Sequence, residues 1–242
     1  MVNDIATVIW KEWKELIARS SQSRAEVLKT IIVGAVILGL IIWRSSFLAT
    51  NLASLMLPSF VLIQFLAGFM ADSFAGERER HTLETLLASR LSDLSILIGK
   101  IVAGVLFVWT LMLFTVGLGV LSSYVRGDAR ISISAVDVAA IIGIYFLICG
   151  VVSCAAVLVS LRASTVRQAI QTLTWSFMII FFLGIFAFAR LSSEWRATLF
   201  RALAGEHLFR TEVIVATTLI AIISVLFSAA RLRFQRARLI LD

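Results

Sequence analysis

Apolar residues run along this chain in long stretches that polar residues hardly interrupt. Six such stretches stand out, and they cover residues 27–43, 52–70, 97–121, 135–160, 168–189 and 213–229. The hydrocarbon core of a bilayer is about 30 Å thick, and a helix needs about 17–25 mainly apolar residues to cross it. The pattern therefore predicts an all-α membrane protein with six transmembrane helices.

The overall composition agrees with this interpretation. Hydrophobic residues make up 60% of the 242 residues, charged residues make up 15%, and the mean hydropathy is +0.98. Soluble domains are about 45–50% apolar and about 25% charged. The apolar surplus is too large for a core of this size to bury, which excludes a soluble monomeric enzyme.

The distribution of basic residues predicts which side of the membrane each loop occupies. Taken together, the two terminal segments and the loops after the second and fourth spans hold 15 Lys and Arg residues, whereas the other three loops hold 7, four of them in the loop after the fifth span. Because basic residues concentrate on the cytoplasmic side, we expect a multi-pass plasma-membrane protein with both termini in the cytoplasm. Anionic lipid at that surface also accounts for the net charge of +7, so no nucleic-acid partner is predicted.

The interiors of the six spans contain no Asp, Glu, Lys or Arg, and only Lys29, Lys100 and Asp137 lie near span ends. Charges in mid-membrane are costly and usually functional, so their absence argues against a proton relay or an ion-coupled carrier. An intramembrane hydrolase would need a base beside a Ser or Thr nucleophile, and these interiors supply none. The two cysteines and two histidines lack metal-ligand spacing. We therefore predict no catalytic residue and no metal site.

Residues 1–26 are predicted to contain an amphipathic helix at the inner membrane surface. Apolar residues recur on one side of this helix and charged residues cover the other; the first set is Ile5, Val8, Ile9, Trp13, Leu16 and Ile17, and the second is Asp4, Lys11, Glu12, Lys14, Glu15 and Arg19. The helix serves either as a plain membrane anchor or as a docking element. Its expected contact residues are Trp10, Trp13 and Leu16.

The outer loop 190–212 is predicted to hold a short helix that rests on the membrane surface. Ser193 suits its start and Gly205 suits its end. An apolar stripe lies between them, and no chemistry is predicted for this loop.

The loop 72–96, on the predicted cytoplasmic side, carries dense charge of both signs. Its charges form a nearly neutral cluster beside an apolar ridge; the cluster is Glu77, Arg78, Glu79, Arg80 and Glu84, and the ridge is Leu83, Leu86 and Leu87. Good helix formers predict a helix of about 18 Å over 77–88, and Ser92 can cap the next helix. Mixed-sign charges gain little from anionic lipid but can fix the register of a protein interface. We therefore expect this loop to dock on a protein partner.

Residues 76–100, which read GERERHTLETLLASRLSDLSILIGK, resemble the signature of ABC type-2 membrane proteins. These proteins are permease subunits of exporter-related ATP-binding-cassette transporters. The run IWKEWKEL at 9–16 and the six-span layout are also similar to that family. The matching loop positions are 77–80, Thr82, Leu83, Glu84, Leu86, Leu87, Ser89, Gly99 and Lys100.

Two positions depart from the family pattern. His81 stands where the family commonly has glycine, and Arg90 stands where it commonly has proline. The first departure predicts that the helix continues through residue 81 without a kink. The second leaves open the point at which the chain breaks before Ser92.

The resemblance implies a single transmembrane domain, 1–242, that works as a homo- or heterodimer on cytoplasmic ATPase subunits and exports its substrate. It assigns ATPase coupling to Glu77, Arg78, Glu79, Arg80, Thr82, Leu83, Glu84, Leu86 and Leu87, with the N-terminal helix docking beside them. The translocation path would lie between two permease chains along the second and fifth spans, at Ser59, Gln64, Gln171, Thr174 and Phe177. Alternatively, the Gln and Thr side chains only hydrogen-bond between helices.

This chain lacks the sequence that would let it hydrolyse ATP itself. The P-loop pattern G-x-x-x-x-G-K-[ST] cradles phosphates with backbone N–H groups. Around Gly99 and Lys100, Leu94 replaces the first glycine and Ile101 replaces the hydroxyl residue. We therefore predict no cofactor in this chain, with ATP and magnesium bound by the partner ATPase. The alternative is a channel or a structural membrane scaffold without an ATPase partner, which leaves the charged loop without a role.

Overall fold

The fold is seen in a computed structural model that describes residues 2–18, 56–82, 90–125, 135–192, 194 and 208–234. All regular elements within these ranges are helical. The α-helices are α1 (Val2–Ala18), α2 (Met56–Ala71), α3 (Asp93–Val125), α4 (Ala135–Ser160), α5 (Val166–Arg190) and α6 (Leu208–Arg233). Beyond α2 the chain continues through a π-helical turn, Asp72–Gly76, and one α-helical turn, Glu77–Glu79.

Four of the described helices are long and apolar enough to cross a membrane, and they are α3, α4, α5 and α6. They correspond to the last four predicted spans, which confirms the all-helical membrane fold for this part of the chain. Helix α2 matches the second predicted span from residue 56 onward. The first predicted span, 27–43, and most of the outer-loop helix lie outside the described residues.

Helices α2, α3 and α4 pack against one another and enclose the apolar core. Helix α6 packs on α4, whereas α5 lies against α2 and α4. The core side chains include Leu66, Met70, Ile96, Leu97, Met112 and Val157. Helices α5 and α6 turn large apolar side chains outward, among them Trp175, Ile179, Phe182, Phe186, Ile214, Ile220 and Val225. Such extended apolar surfaces suit contact with lipid or with another membrane chain.

Helix α1 lies along the first turns of α3. The two backbones approach closely at Gly99, where an added Cβ would come within 2.7 Å of the Val8 side chain. The indole Nε1 of Trp13 donates a hydrogen bond of 3.3 Å to the carbonyl oxygen of Ala103. Glycine at position 99 therefore allows α1 to reach α3, and Trp13 faces the protein at this point.

The face that α1 presents to α3 includes one residue that the periodicity assigned to the charged side. Val8 belongs to the predicted apolar side and is buried, but Glu12, assigned to the charged side, is buried next to it. These two residues are four positions apart and so share one helical face. The prediction for Glu12 is wrong because a buried partner charge on α3 offsets the cost of taking its carboxylate out of water.

Candidate functional site

The partner of Glu12 is Lys100, whose side chain is fully buried at the start of α3. Its Nζ lies 2.7 Å from Oε1 of Glu12 and 3.0 Å from Oε1 of Glu77. It also donates to the carbonyl oxygen of Ser73 at 2.7 Å and to the Ser73 hydroxyl at 3.0 Å. Lys11 completes the group, with its Nζ 2.8 Å from the same Glu77 oxygen. We refer to these five residues as the Lys100 cluster.

The Lys100 cluster supplies hydrogen-bond and charge partners to the Lys100 ammonium, whose burial without them would be very costly. The effective penalty for burying an ammonium ion is several kcal/mol, and only well-placed partners offset it. An ammonium has three donors, and two carboxylates and a backbone carbonyl surround this one. The cluster thereby joins α1, α3 and the turn that follows α2.

Glu77 is the branch point of this cluster. Burial by itself raises the pKa of Glu77, but Lys100 and Lys11 outweigh burial and hold the pKa below its ordinary value. Burial likewise opposes the charged form of Lys11, yet the bond to Glu77 leaves the pKa of Lys11 raised. Both groups are therefore charged at neutral pH. The second oxygen of Glu77, Oε2, is buried with no hydrogen-bond partner in the part of the chain that the structure describes.

Arg78 and Glu79 tie the same segment to the connection between α4 and α5. The guanidinium of Arg78 donates to the carbonyl oxygens of Leu161, at 3.0 Å, and Ala163, at 3.2 Å. Oε2 of Glu79 accepts a hydrogen bond of 3.2 Å from the backbone N–H of Val166. A carboxylate at a helix N-terminus satisfies a free donor and interacts favourably with the helix dipole. Glu79 thus stabilises the start of α5.

Two further contacts complete the surroundings of this segment. Arg80 pairs with Asp72 at 3.1 Å, where both side chains are partly exposed. The ring of Phe74 packs edge-to-face on Phe234, just beyond α6, with centroids 5.7 Å apart. Each of the four charged residues 77–80 therefore has an intramolecular partner. Their contacts reach α1, α3 and the α4–α5 connection, and Phe74 reaches the end of α6.

The α-helical turn ends at Glu79, so the predicted unbroken helix through residue 81 is wrong. His81 adopts the left-handed conformation with φ of 56°. The N–H of Thr82 bonds to the Glu77 carbonyl oxygen at 2.9 Å, and the N–H of His81 bonds to that of Arg78 at 3.0 Å. This pair of bonds is the Schellman motif, in which glycine is the usual left-handed residue. The glycine that the family commonly has here fits this conformation, and His81 adopts it despite its Cβ.

The remaining predicted coupling and docking residues are placed as follows. Thr82 is exposed, and its hydroxyl donates to the Glu77 carbonyl oxygen at 3.3 Å. Trp10 is 70% exposed on α1. The predicted residues Leu83, Glu84, Leu86 and Leu87, together with the side chain of Leu16, lie outside the described residues.

The predicted path residues are only partly brought together. The Thr174 hydroxyl on α5 donates to Oε1 of Gln64 on α2 at 3.4 Å. Phe177 is half-buried against the core, whereas Gln171 is exposed on α5. The side chain of Ser59 lies outside the described part. The Gln64–Thr174 bond links the two helices that the resemblance assigns to the path.

Sequence reasoning missed Lys11, Glu12, Ser73 and Lys100 as members of this site. A signal existed for Lys100, because a lysine within the first turns of an apolar span must find a partner or reach water. No comparable signal identified Glu12 or Ser73. Their roles depend on contacts between residues 61 and 88 positions apart in sequence.

These observations define a class of protein. It is a helical membrane protein in which one charged segment contacts α1, α3, the α4–α5 connection and the end of α6 on the same side of the helix bundle. The family model for the ABC-2 type transporter matches residues 3–209, a range that includes every residue of the Lys100 cluster and the Arg78 contacts. The chain therefore belongs to the ABC-2 type transporter family and is the membrane permease component of an ABC transporter. A search of curated proteins gave no match.

Proposed function

We propose that this chain is a six-span permease subunit that forms a translocation path in a homo- or heterodimer and exports its substrate. Separate cytoplasmic ATPase subunits drive it, and they bind the ATP and magnesium. The chain is a single transmembrane domain, 1–242, in the plasma membrane with both termini in the cytoplasm. Its N-terminal helix lies at the inner membrane surface.

The observation that carries this proposal is the convergence of contacts on residues 72–82. Glu77 reaches α1 and α3 through Lys11 and Lys100, and Arg78 reaches the α4–α5 connection. A force applied to this segment therefore acts on several helices at once. Rigid-body rotation about packed interfaces is an ordinary way to transmit such a force. This arrangement supports a coupling segment, and a channel or scaffold has no need of one.

Burial divides the coupling residues into two groups. Glu77 and Arg78 are turned toward the protein, and we propose that they hold the segment in place. Glu79, Arg80 and Thr82 are exposed, and we propose that they contact the ATPase together with Leu83, Glu84, Leu86 and Leu87. Trp10, Trp13 and Leu16 on α1 border the same surface in this proposal, with the exposed Trp10 toward lipid or the ATPase.

The translocation path is proposed to follow α2 and α5 between two permease chains. The outward apolar face of α5 would then meet the second chain or lipid. Gln64 and Thr174 form a polar contact between the two helices. Ser59, Gln171 and Phe177 are proposed to line the path on either side of that contact.

The test is purification of the chain from its own membranes in mild detergent, followed by ATPase and transport assays in liposomes. We expect a stoichiometric ATPase subunit to co-purify, and the variant Leu87→Glu to lose it while still inserting into the membrane. Glu194→Gln, beyond the opposite end of α5, is the control and should retain the ATPase. A chain that purifies alone and conducts ions, or that hydrolyses ATP unaided, would overturn the proposal.

A further inference from the structure

The π-helical turn Asp72–Gly76 interrupts a segment that is α-helical on either side. The residues DSFAG contain no proline, and the flanking residues Ala71 and Glu77 have ordinary α-helical backbone angles. Sharp irregularities inside helices arise at proline, at small-residue pairs, or where a side chain enters the i→i−4 ladder. The small residues Ala75 and Gly76 favour such an irregularity, and the tertiary contacts show which side chain enters the ladder.

Such a contact comes from Ser160, the last residue of α4, which is 1% exposed. Its hydroxyl donates to the carbonyl oxygen of Ala71 at 3.2 Å and accepts from the N–H of Ala75 at 3.0 Å. In a regular α-helix these two backbone groups would bond to each other. The hydroxyl is thus inserted into the ladder and satisfies both groups, because one hydroxyl can donate and accept.

A second buried side chain also holds this turn. The Nζ of Lys100 donates a hydrogen bond of 2.7 Å to the carbonyl oxygen of Ser73, which lies inside the turn. The turn is therefore fixed by one group from α4 and one from α3. Both holding side chains are fully or almost fully buried.

The π turn determines where every following side chain points. It contains one residue more than the equivalent α-helical turn, so removing it would rotate the following residues by about 100° and move them by about 1.5 Å along the axis. Glu77 reaches Lys11 and Lys100, and Arg78 reaches Leu161 and Ala163, in the π register. In the α register the same side chains would face different neighbours.

We propose that Ser160 is a positioning residue for energy coupling. Its inserted hydroxyl holds the end of α2 in the π register, and this register sets the orientation in which residues 77–82 meet the ATPase subunit. The inference rests on the proposed function for its coupling part. The register itself can be measured on the purified chain alone.

The test begins with Ser160→Ala, which removes the hydroxyl and lets Ala71 and Ala75 bond directly. A matched control is Ser153→Ala on the same helix, because Ser153 is equally buried and its hydroxyl has no hydrogen-bond partner among the described residues. Spin labels at Thr82→Cys and Arg162→Cys, with Cys149 and Cys154 replaced by alanine, report the register. A helix radius of about 2.3 Å and a rotation of about 100° predict a displacement of about 4 Å at the Cα atoms.

In the assembled transporter, we expect Ser160→Ala to lower the transport obtained per ATP hydrolysed by roughly five- to tenfold. The variant loses two hydrogen bonds and the direct bond restores one, and a net loss of one hydrogen bond lowers the population of the π register by about this factor. Ser153→Ala should keep the wild-type ratio. Ser160→Thr retains the hydroxyl and should restore both the label distance and the ratio. Deletion of Ala75 in the Ser160→Ala chain removes the extra residue of the turn, so it should also restore the label distance and the transport per ATP hydrolysed. If Ser160 contributed only to stability, this deletion would not restore them.

The outcomes separate the inference from the transporter assignment. An unchanged label distance in Ser160→Ala overturns the inference whether or not an ATPase binds. The coupling role is overturned if the distance between the labels shifts while the transport per ATP hydrolysed stays unchanged. It is also overturned if the distance shifts in a chain that binds no ATPase. If Ser160→Ala fails to insert, the chain that also lacks Ala75 decides, because failure of that rescue overturns the inference as well.

Discussion

Replacing Lys100 by methionine removes a buried positive charge but keeps most of the apolar stem. Among the described residues, Glu12 then retains the hydrogen bond from the Ser73 hydroxyl, at 3.2 Å, while Glu77 keeps its bond to Lys11 at 2.8 Å. Removing one partner of a buried ion pair costs about 3–5 kcal/mol, because the other charge is left uncompensated. Glu77 retains a partner and Lys11 is partly exposed, so we expect the lower end, about 3 kcal/mol.

A double-mutant cycle in detergent measures this coupling as a free energy of unfolding. The single variants are Lys100→Met and Glu12→Gln, and the double variant removes both charges. Because the double variant leaves no unpaired charge between these two residues, it should recover about 1–3 kcal/mol relative to the sum of the single effects. Lys14→Met, at an exposed position of α1, should change stability by less than about 0.5 kcal/mol. Single effects that add within about 0.5 kcal/mol would refute a direct Lys100–Glu12 pair.

Three further predictions concern neighbouring features. His81→Gly should raise the unfolding midpoint, since a side chain in the left-handed region costs about 1–2 kcal/mol; a lower midpoint would contradict the Schellman ending. Gly99→Ala should cost about 1–3 kcal/mol through overpacking against Val8, and Val8→Ala should recover only part of that loss, because it removes the contacting Cγ1 but keeps the contacting Cβ. The pKa of Glu77 is lowered from its ordinary 4.5, so its ionised form stabilises the folded chain above that pH and the contribution is lost as the pH falls through the folded pKa. The free energy of unfolding should therefore fall as the pH drops below the ordinary glutamate range, and this fall should be smaller in Glu77→Gln. An equal fall in the two chains would argue against this assignment.

Hydropathy predicted the membrane helices well because a helix that crosses the bilayer needs about 20 consecutive, mainly apolar residues. The fourth span was predicted as 135–160, and α4 has those bounds. The third was predicted as 97–121, whereas α3 extends over Asp93–Val125. The extension adds polar residues, which a hydropathy pattern does not assign to a span but which a helix tolerates outside the hydrocarbon region.

The candidate site was less predictable because periodicity assumes that charged residues face water. Glu12 breaks that assumption through its pairing with Lys100, which depends on the tertiary approach of α1 to α3. The π turn was not predicted from residues 72–76, and the Ser160 hydroxyl that bonds to its backbone lies far along the chain. Local helix propensity predicted a helix that continues through His81. In the structure, the two backbone hydrogen bonds of the Schellman motif end the helical turn there. The charged cluster was visible in the sequence, but its intramolecular partners were not.

The pairing of Glu12 with Lys100 also bears on how the protein is made. The two residues are 88 positions apart, so at about 5–20 residues per second the ribosome reaches the lysine roughly 4–18 s after the glutamate. During this interval the carboxylate on α1 waits without its counterion. The ion pair that joins α1 to the third span can therefore form only after the start of that span has been synthesised.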